Sequence, residues 1–64
     1  MILSPRERMV IALVADGMTD KAIAECLDLS THSVRHIMAS IRHKLGAASR
    51  SQAVALWVRL EAVG

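Results

Sequence analysis

Residues 30–45, with the sequence STHSVRHIMASIRHKL, combine arginine, histidine and serine side chains and contain no carboxylate. These side chains donate hydrogen bonds to phosphate oxygens and to base edges, and one arginine can donate two parallel bonds to a guanine. The cationic character extends further, because residues 29–60 carry five Lys and Arg residues and no Asp or Glu. Residues 1–28 carry three cationic and five acidic residues. This uneven distribution predicts a polyanionic partner, and a helix fits the major groove of double-stranded DNA.

The chain lacks the residue patterns that most catalytic and metal sites need. It has no glycine-rich phosphate loop, no paired carboxylates and no activated nucleophile, so we do not expect an enzyme. His32 and His36 lie four residues apart, but no Cys or carboxylate on the same predicted helix completes a metal site, so neither metal nor cofactor is expected. Cys26 is the only cysteine, which excludes an internal disulfide and indicates a reducing compartment. We expect its side chain to be buried as a small apolar group.

The composition favours a small helical core. Of the 64 residues, 53% are hydrophobic and Trp57 is the single aromatic, whereas β-sheets favour aromatic and β-branched side chains. The length predicts one domain over 1–64. No apolar run reaches the roughly 18 residues of a membrane span, and the start of the chain has no signal-peptide pattern. We therefore expect a soluble, cytoplasmic protein with no membrane partner.

Capping and stop residues predict four helices. Hydroxyl side chains that can cap a helix mark the four starts: Ser4, Thr19, Ser30 or Thr31, and Ser49. Glu7 and Gln52 follow the first and last of these by three residues and complete capping boxes. Gly17 and Gly46 supply left-handed residues that end the first and third helices. The predicted fold is all-α, a compact four-helix domain with helices at about 5–16, 20–27, 31–45 and 50–62.

The short connection between the second and third predicted helices indicates a helix-turn-helix motif. Apolar positions of the third helix form one inward stripe: Val34, Met38, Ile41 and Leu45. Arg35, Ala39 and Arg42 then follow one line along the outer side, with His36 beside it.

Several segments match a known pattern at fixed offsets: LSPRER at 3–8, Gly17, KAIAECL at 21–27, LS at 29–30, SVR at 33–35, Ile41, KLG at 44–46 and SR-x-x-AV at 49–54. Through them the chain resembles the LuxR-type (GerE-like) helix-turn-helix domain of bacterial transcription regulators, from Leu3 to about Val58. The resemblance implies a four-helix domain whose third helix enters the major groove and whose fourth helix forms a dimer. The chain departs from the family pattern at Ile37, where His is usual, and at Asp20 and Ala22, where Asn and Glu are common.

The resemblance implies base contacts by Arg35, His36 and Ala39, and the first two lie in the first half of the third helix. An arginine can pair with guanine, and an alanine can approach a thymine methyl group. Phosphate contacts are expected from hydroxyl and cationic side chains of the second and third helices: Lys21, Ser30, Ser33, Arg42 and Lys44. For Arg50, an ion pair with Glu7 is favoured over a phosphate contact.

The fourth predicted helix is apolar on two sides. One side is expected to pack into the domain: Ala53, Leu56, Trp57 and Leu60. The other is expected to form a homodimer, in solution or only on DNA: Val54, Ala55, Val58 and Ala62. Ile11 of the first helix is expected to be surplus to the core and available to a regulatory domain, and a contact with RNA polymerase stays open.

Two other functions fit parts of this pattern. A helical protein-interaction module could use the basic face to bind an acidic partner. A sigma-factor-like promoter-binding region shares the same kind of helix-turn-helix, although the SR-x-x-AV segment argues against it. Salt-dependent binding to duplex DNA with a preferred sequence separates DNA recognition from protein interaction.

Overall fold

The structure, a computed structural model, describes residues 2–63, and within that range every regular element is an α-helix. The helices are α1 (Pro5–Ala15), α2 (Asp20–Leu27), α3 (Thr31–Leu45) and α4 (Arg50–Val63). The all-α prediction is confirmed, and α2 and α3 have the predicted bounds. Relative to the prediction, α1 ends one residue earlier and α4 one residue later.

Side-chain caps begin the first three helices. The hydroxyl of Ser4 accepts from the Glu7 N–H over 3.2 Å, and Oε1 of Glu7 accepts from the Ser4 N–H over 2.8 Å, which completes the predicted capping box of α1. Thr19 caps α2, and Ser30 rather than Thr31 caps α3. Each cap satisfies an amide group that has no partner within its own helix.

The start of α4 differs in part from the prediction. Oγ of Ser49 accepts from the Gln52 N–H over 3.1 Å, as a capping box requires. The side chain of Gln52, however, accepts from the N–H of Ala48 instead of Ser49. Gly46, at φ 67°, occupies the left-handed position that ends α3, as predicted.

Helix α3 is the central element and packs against the other three helices. Its predicted inward stripe is confirmed for Val34, Met38 and Ile41, which are buried, whereas Leu45 is half-buried. The buried hydrophobic core consists of Leu3, Val10, Ile11, Ile23, Ala24, Val34, Met38, Ile41 and Ala53. The expectation that Ile11 is surplus to the core is wrong, because α1 packs against all three other helices and buries a wider face than one stripe.

Two further burial predictions are wrong. Leu60 is 53% exposed, because the side chains from Val58 to Ala62 are all exposed and the last turn of α4 extends beyond the core. Cys26 is also exposed. It lies about 60° around α2 from the buried Ile23 but about 160° from the buried Ala24, so it falls at the edge of the buried side of the helix. In the part of the chain that the structure describes, no helix has the length and apolar character needed to cross a bilayer.

Candidate nucleic-acid interface

The connection from α2 to α3 is a tight turn of three residues. Asp28 adopts the left-handed conformation (φ 58°, ψ 46°), and the N–H of Leu29 donates to the carbonyl of Ala24 over 2.8 Å. Asp tolerates this conformation better than most residues, because its short side chain can bond to the local backbone. Leu29 is half-buried against the core. The turn therefore fixes α3 against α2 and forms the predicted helix-turn-helix.

The outer side of α3 is open to solvent and carries no carboxylate. Arg35, His36 and Ala39 are exposed, and the side chain of Arg35 is 75% exposed. Val34 and Met38, which directly precede Arg35 and Ala39 in the sequence, are buried. The structure therefore brings the three residues expected to contact bases together on one exposed surface.

Two imidazole rings lie side by side at the start of this surface. The ring centroids of His32 and His36 are 6.1 Å apart, and the ring planes are tilted by 51°. Both rings are exposed and can donate or accept hydrogen bonds. Among the described residues, no group of three or more His, Cys, Asp or Glu is arranged to hold a metal ion.

The first turn of α3 presents two hydroxyl groups beside free backbone amides. Oγ of Ser30 accepts from the Ser33 N–H and donates to Oγ of Ser33, both over 3.0 Å. The first turn contains no acidic residue, so its side chains leave the positive end of the helix dipole available to an anion. Ser30 thus acts as a helix cap and donates its own O–H to Ser33, so the O–H of Ser33 is the hydroxyl donor left for a phosphate.

Asp20, in the first turn of α2, contacts two arginines. Its Oδ1 accepts from Nη1 of Arg50 over 2.6 Å, and its Oδ2 lies 3.9 Å from Nε of Arg35. The predicted ion pair of Arg50 with Glu7 is therefore wrong, because the long side chain of Arg50 reaches from the start of α4 to Asp20 instead. In the sequence, Asp20 is visible only as a departure from the family pattern. That departure shows that a carboxylate is present but not which arginines it contacts.

Glu7 instead pairs with Lys44. Nζ of Lys44 lies 2.8 Å from Oε1 of Glu7, and Oγ of Ser40 donates to Oε2 over 2.8 Å. The hydrogen bonds from Lys44 and from the Ser4 N–H lower the pKa of Glu7 to about 2, against a smaller opposing effect of burial. Lys44 follows Arg35 by nine residues, about two and a half turns, so it faces the opposite side of α3. The structure therefore gives Lys44 a structural ion pair, and its expected phosphate contact stays a prediction.

The remaining two cations expected at phosphates lie in different settings. Lys21 is exposed in the first turn of α2. Arg42 is exposed on α3, and its Nη2 donates to the carbonyl of Ala48 over 3.0 Å, which holds the connection between α3 and α4. Arg42 therefore has a structural hydrogen bond in addition to the donors that its guanidinium keeps free.

The second apolar side of α4 is open except at one position. Ala55, Val58 and Ala62 are exposed, and the side chain of Val58 is 48% exposed. Val54 is half-buried and packs against the protein's own core. Three of the four residues expected at a dimer interface thus form an uncovered strip along α4.

The chain matches known regulatory proteins in sequence and in fold. The family described as bacterial regulatory proteins, luxR family, matches residues 1–57. The transcriptional regulatory protein ComA of Bacillus subtilis is 40% identical over 53 residues, which is 83% of this chain and 25% of ComA. The transcriptional activator protein YukR of Yersinia ruckeri is 39% identical over 62 residues, which is 97% of this chain and 27% of YukR. The chain thus spans about a quarter of the length of these relatives.

A solved structure of the transcription factor GerE has the same arrangement of helices. It superposes with a TM-score of 0.91 at 33% sequence identity, over 95% of this chain and 91% of the GerE chain. The resemblance found from sequence segments is therefore confirmed by the family match and by the fold. The chain belongs to the luxR family of bacterial regulatory proteins, as a helix-turn-helix domain of the kind that binds DNA in transcription regulation.

Proposed function

We propose that this chain recognises a specific double-stranded DNA sequence, with α3 lying in the major groove. The observation that carries the proposal is the division of α3 into a buried apolar side and an exposed side without carboxylates. A helix of this kind matches the width of the major groove, and its cationic groups are attracted to the phosphates on either side.

Sequence discrimination comes from the exposed surface of α3 between Arg35 and Ala39. Arg35 donates to a guanine through its terminal nitrogens, and His36 donates or accepts at a neighbouring base. Ala39 has no bulk beyond its methyl group, so the helix can approach the base pairs closely at this point. The high exposure of Arg35 supports this role, since its donors are available without rearrangement of the core.

Contacts with the phosphate backbone fix the position of α3 in the groove. Ser30 and Ser33 contact one phosphate at the N-terminus of α3, and Lys21 contacts the backbone from the start of α2. Arg42 contacts a phosphate further along α3 while it keeps its bond to the Ala48 carbonyl. We leave Lys44 out of this set, because its ammonium is paired with Glu7 and lies on the side of α3 opposite Arg35.

The chain binds DNA as a homodimer through the open strip on α4. The exposed side chains of Ala55, Val58 and Ala62 are apolar and face away from the core, so a second copy of α4 can cover them. Two-fold symmetry then predicts an inverted-repeat site with half-sites about one helical turn apart. The area is small, which favours a weak dimer that DNA stabilises.

The wider biological role follows the relatives. ComA is named as a transcriptional regulatory protein and YukR as a transcriptional activator protein, and this chain spans about a quarter of each. We extend to this chain a role in transcription regulation, together with a regulatory domain or RNA polymerase as protein partners.

Selection of bound duplexes from a random pool tests the proposal directly. The folded chain is incubated with the pool at moderate salt, and retained duplexes are amplified and sequenced, with Arg35→Ala as the parallel control. The expected result is an enriched inverted repeat for the natural chain and loss of one or more preferred base pairs for the control. A pool that stays random after repeated rounds would overturn the proposal and favour a protein-interaction module with a basic face.

A further inference from the structure

One carboxylate on α2 lies between an arginine of α3 and an arginine of α4. The side chain of Asp20 is 24% exposed, and its two oxygens face different guanidinium groups. Oδ1 forms a short charge-assisted hydrogen bond with Arg50, whereas Oδ2 is an ion-pair partner of Nε of Arg35 at 3.9 Å. Two formal positive charges therefore share one negative charge beside the proposed DNA surface.

The geometry gives the two oxygens different tasks. The bond to Arg50 holds the carboxylate in place, because a 2.6 Å contact between charged groups is short and strong. The 3.9 Å separation from Arg35 is too long for a direct hydrogen bond, so the attraction orients that side chain without locking it. The carboxylate attracts the Nε edge of Arg35. The two terminal nitrogens of Arg35 are left for a guanine, which accepts two parallel hydrogen bonds.

We propose that Asp20 is a positioning residue that increases sequence discrimination by orienting Arg35 towards a base. The inference rests on the proposed function, since it assumes that Arg35 contacts a base. A long cationic side chain loses rotamer freedom when it binds, and orientation beforehand reduces that loss for the correct base. The charge of Asp20 also offsets positive charge that would attract phosphates, which lowers affinity for every sequence alike and leaves the ratio of specific to random affinity unchanged.

The test compares Asp20→Asn with the natural chain on the selected duplex and on a random duplex of equal length. The substitution keeps the shape of the side chain and removes its charge. We expect affinity for random DNA to rise, with a salt dependence steeper by about one phosphate contact, because one more guanidinium becomes available to the backbone. The ratio of specific to random affinity should fall by about three- to tenfold, the value of ordering one flexible side chain.

Asp16→Asn is the matched control for net charge. Asp16 is exposed at the end of α1, and it is not one of the residues that contact Arg35 or Arg50. The same loss of one negative charge there should leave the specificity ratio at its natural value. An equal fall of the ratio in both variants would overturn the proposal, because net charge alone would then explain it.

A double-mutant cycle shows whether Asp20 acts through Arg35. In an Arg35→Ala background, Asp20→Asn should have no effect on the specificity ratio. If it lowered the ratio there as much as it does in the natural chain, the proposal would be overturned. Thermal unfolding of each variant is measured in parallel, since Asp20 also holds Arg50. If Asp20→Asn is unfolded, Asp20→Glu, which keeps the charge and moves the carboxylate, takes its place and should lower the ratio only when Arg35 is present.

The outcomes distinguish this inference from the proposed function. A natural chain with no preferred sequence would overturn both. A natural chain that prefers one sequence, with a ratio that Asp20→Asn does not change, would overturn the positioning role alone.

Discussion

The ammonium group of Lys44 lies 2.8 Å from Oε1 of Glu7 and joins the last turn of α3 to the first turn of α1. The same carboxylate accepts from the N–H of Ser4 and from the hydroxyl of Ser40. The side chain of Glu7 is only 9% exposed, so this cluster links the start of α1 to α3 in a largely dry setting. Glu7, expected to complete a helix cap and to pair with Arg50, therefore pairs with Lys44 and positions the helix proposed to enter DNA.

This cluster predicts a loss of stability in acid. The pKa of Glu7 is lowered from 4.5 to about 2 in the folded protein, chiefly by the hydrogen bond from Lys44. Because the pKa is lower in the folded protein than in the unfolded chain, the ionised carboxylate stabilises the fold. This contribution is complete above pH 4.5 and is lost as the pH falls towards 2. We expect the free energy of unfolding to fall by about 2 kcal/mol over that range from this group, allowing for the partial exposure of Lys44. Urea denaturation at a series of pH values measures it.

Glu7→Gln is the control for the acid effect. The neutral amide keeps the size of the side chain, so the variant should be less stable than the natural chain at pH 7 by about 2 kcal/mol. It should also lack the part of the pH dependence that Glu7 contributes. Parallel curves for the two proteins between pH 7 and pH 3 would contradict the assignment of that dependence to Glu7.

Local features of the fold could be predicted from the sequence because they depend on residues three or four apart. The capping box of Ser4 and Glu7, the cap at Thr19 and the stop at Gly46 act within one helical turn, and so they set helix ends close to the observed ones. The inward stripe of α3 follows from the helical repeat alone. The same repeat places Arg35 on the outside.

Contacts between distant segments could not be predicted in this way. Arg50 was expected beside Glu7 and lies instead beside Asp20, thirty residues before it, because its partner depends on how α4 packs. Ile11 was expected to be surplus to the core, but α1 contacts all three other helices and Ile11 is buried among them. Leu60 continues the apolar stripe of α4 where the rest of the protein no longer covers it.

The left-handed residue in the turn predicts a simple stability difference. Asp28 has φ 58°, a conformation that glycine adopts without strain and that alanine disfavours. We expect Asp28→Gly to be more stable than Asp28→Ala by about 1 kcal/mol, because both variants remove the carboxylate and only the alanine keeps the strain. Thermal denaturation of the pair measures the difference. Equal stabilities would mean that the turn adjusts its backbone in solution.

The open strip on α4 predicts a variant that loses dimer binding but keeps half-site binding. Val58→Glu places a charge on this strip, so cooperative binding to an inverted repeat should fall about tenfold or more while affinity for a single half-site changes little. Leu60→Glu is the matched control, because Leu60 is exposed to a similar extent, 53% against 48%, and faces another side of α4. Gel-shift titrations on both duplexes make the comparison. Equal losses for the two variants would remove the dimer role of the strip.

Arg35 and Lys21 should differ in how their loss affects DNA binding. Arg35→Ala removes two donors to a guanine, so the preferred duplex should lose about 1–3 kcal/mol of binding free energy relative to a random duplex. Lys21→Ala removes a phosphate contact, so binding to both duplexes should weaken equally. The slope of log affinity against log salt concentration should become shallower by about one. Both side chains are exposed, and neither substitution should change the thermal unfolding temperature much. Titrations of both variants at three salt concentrations separate the two roles. If Arg35→Ala weakened both duplexes equally, as is expected for Lys21→Ala, Arg35 would be a phosphate contact, and base reading by α3 would have to rest on His36 and Ala39.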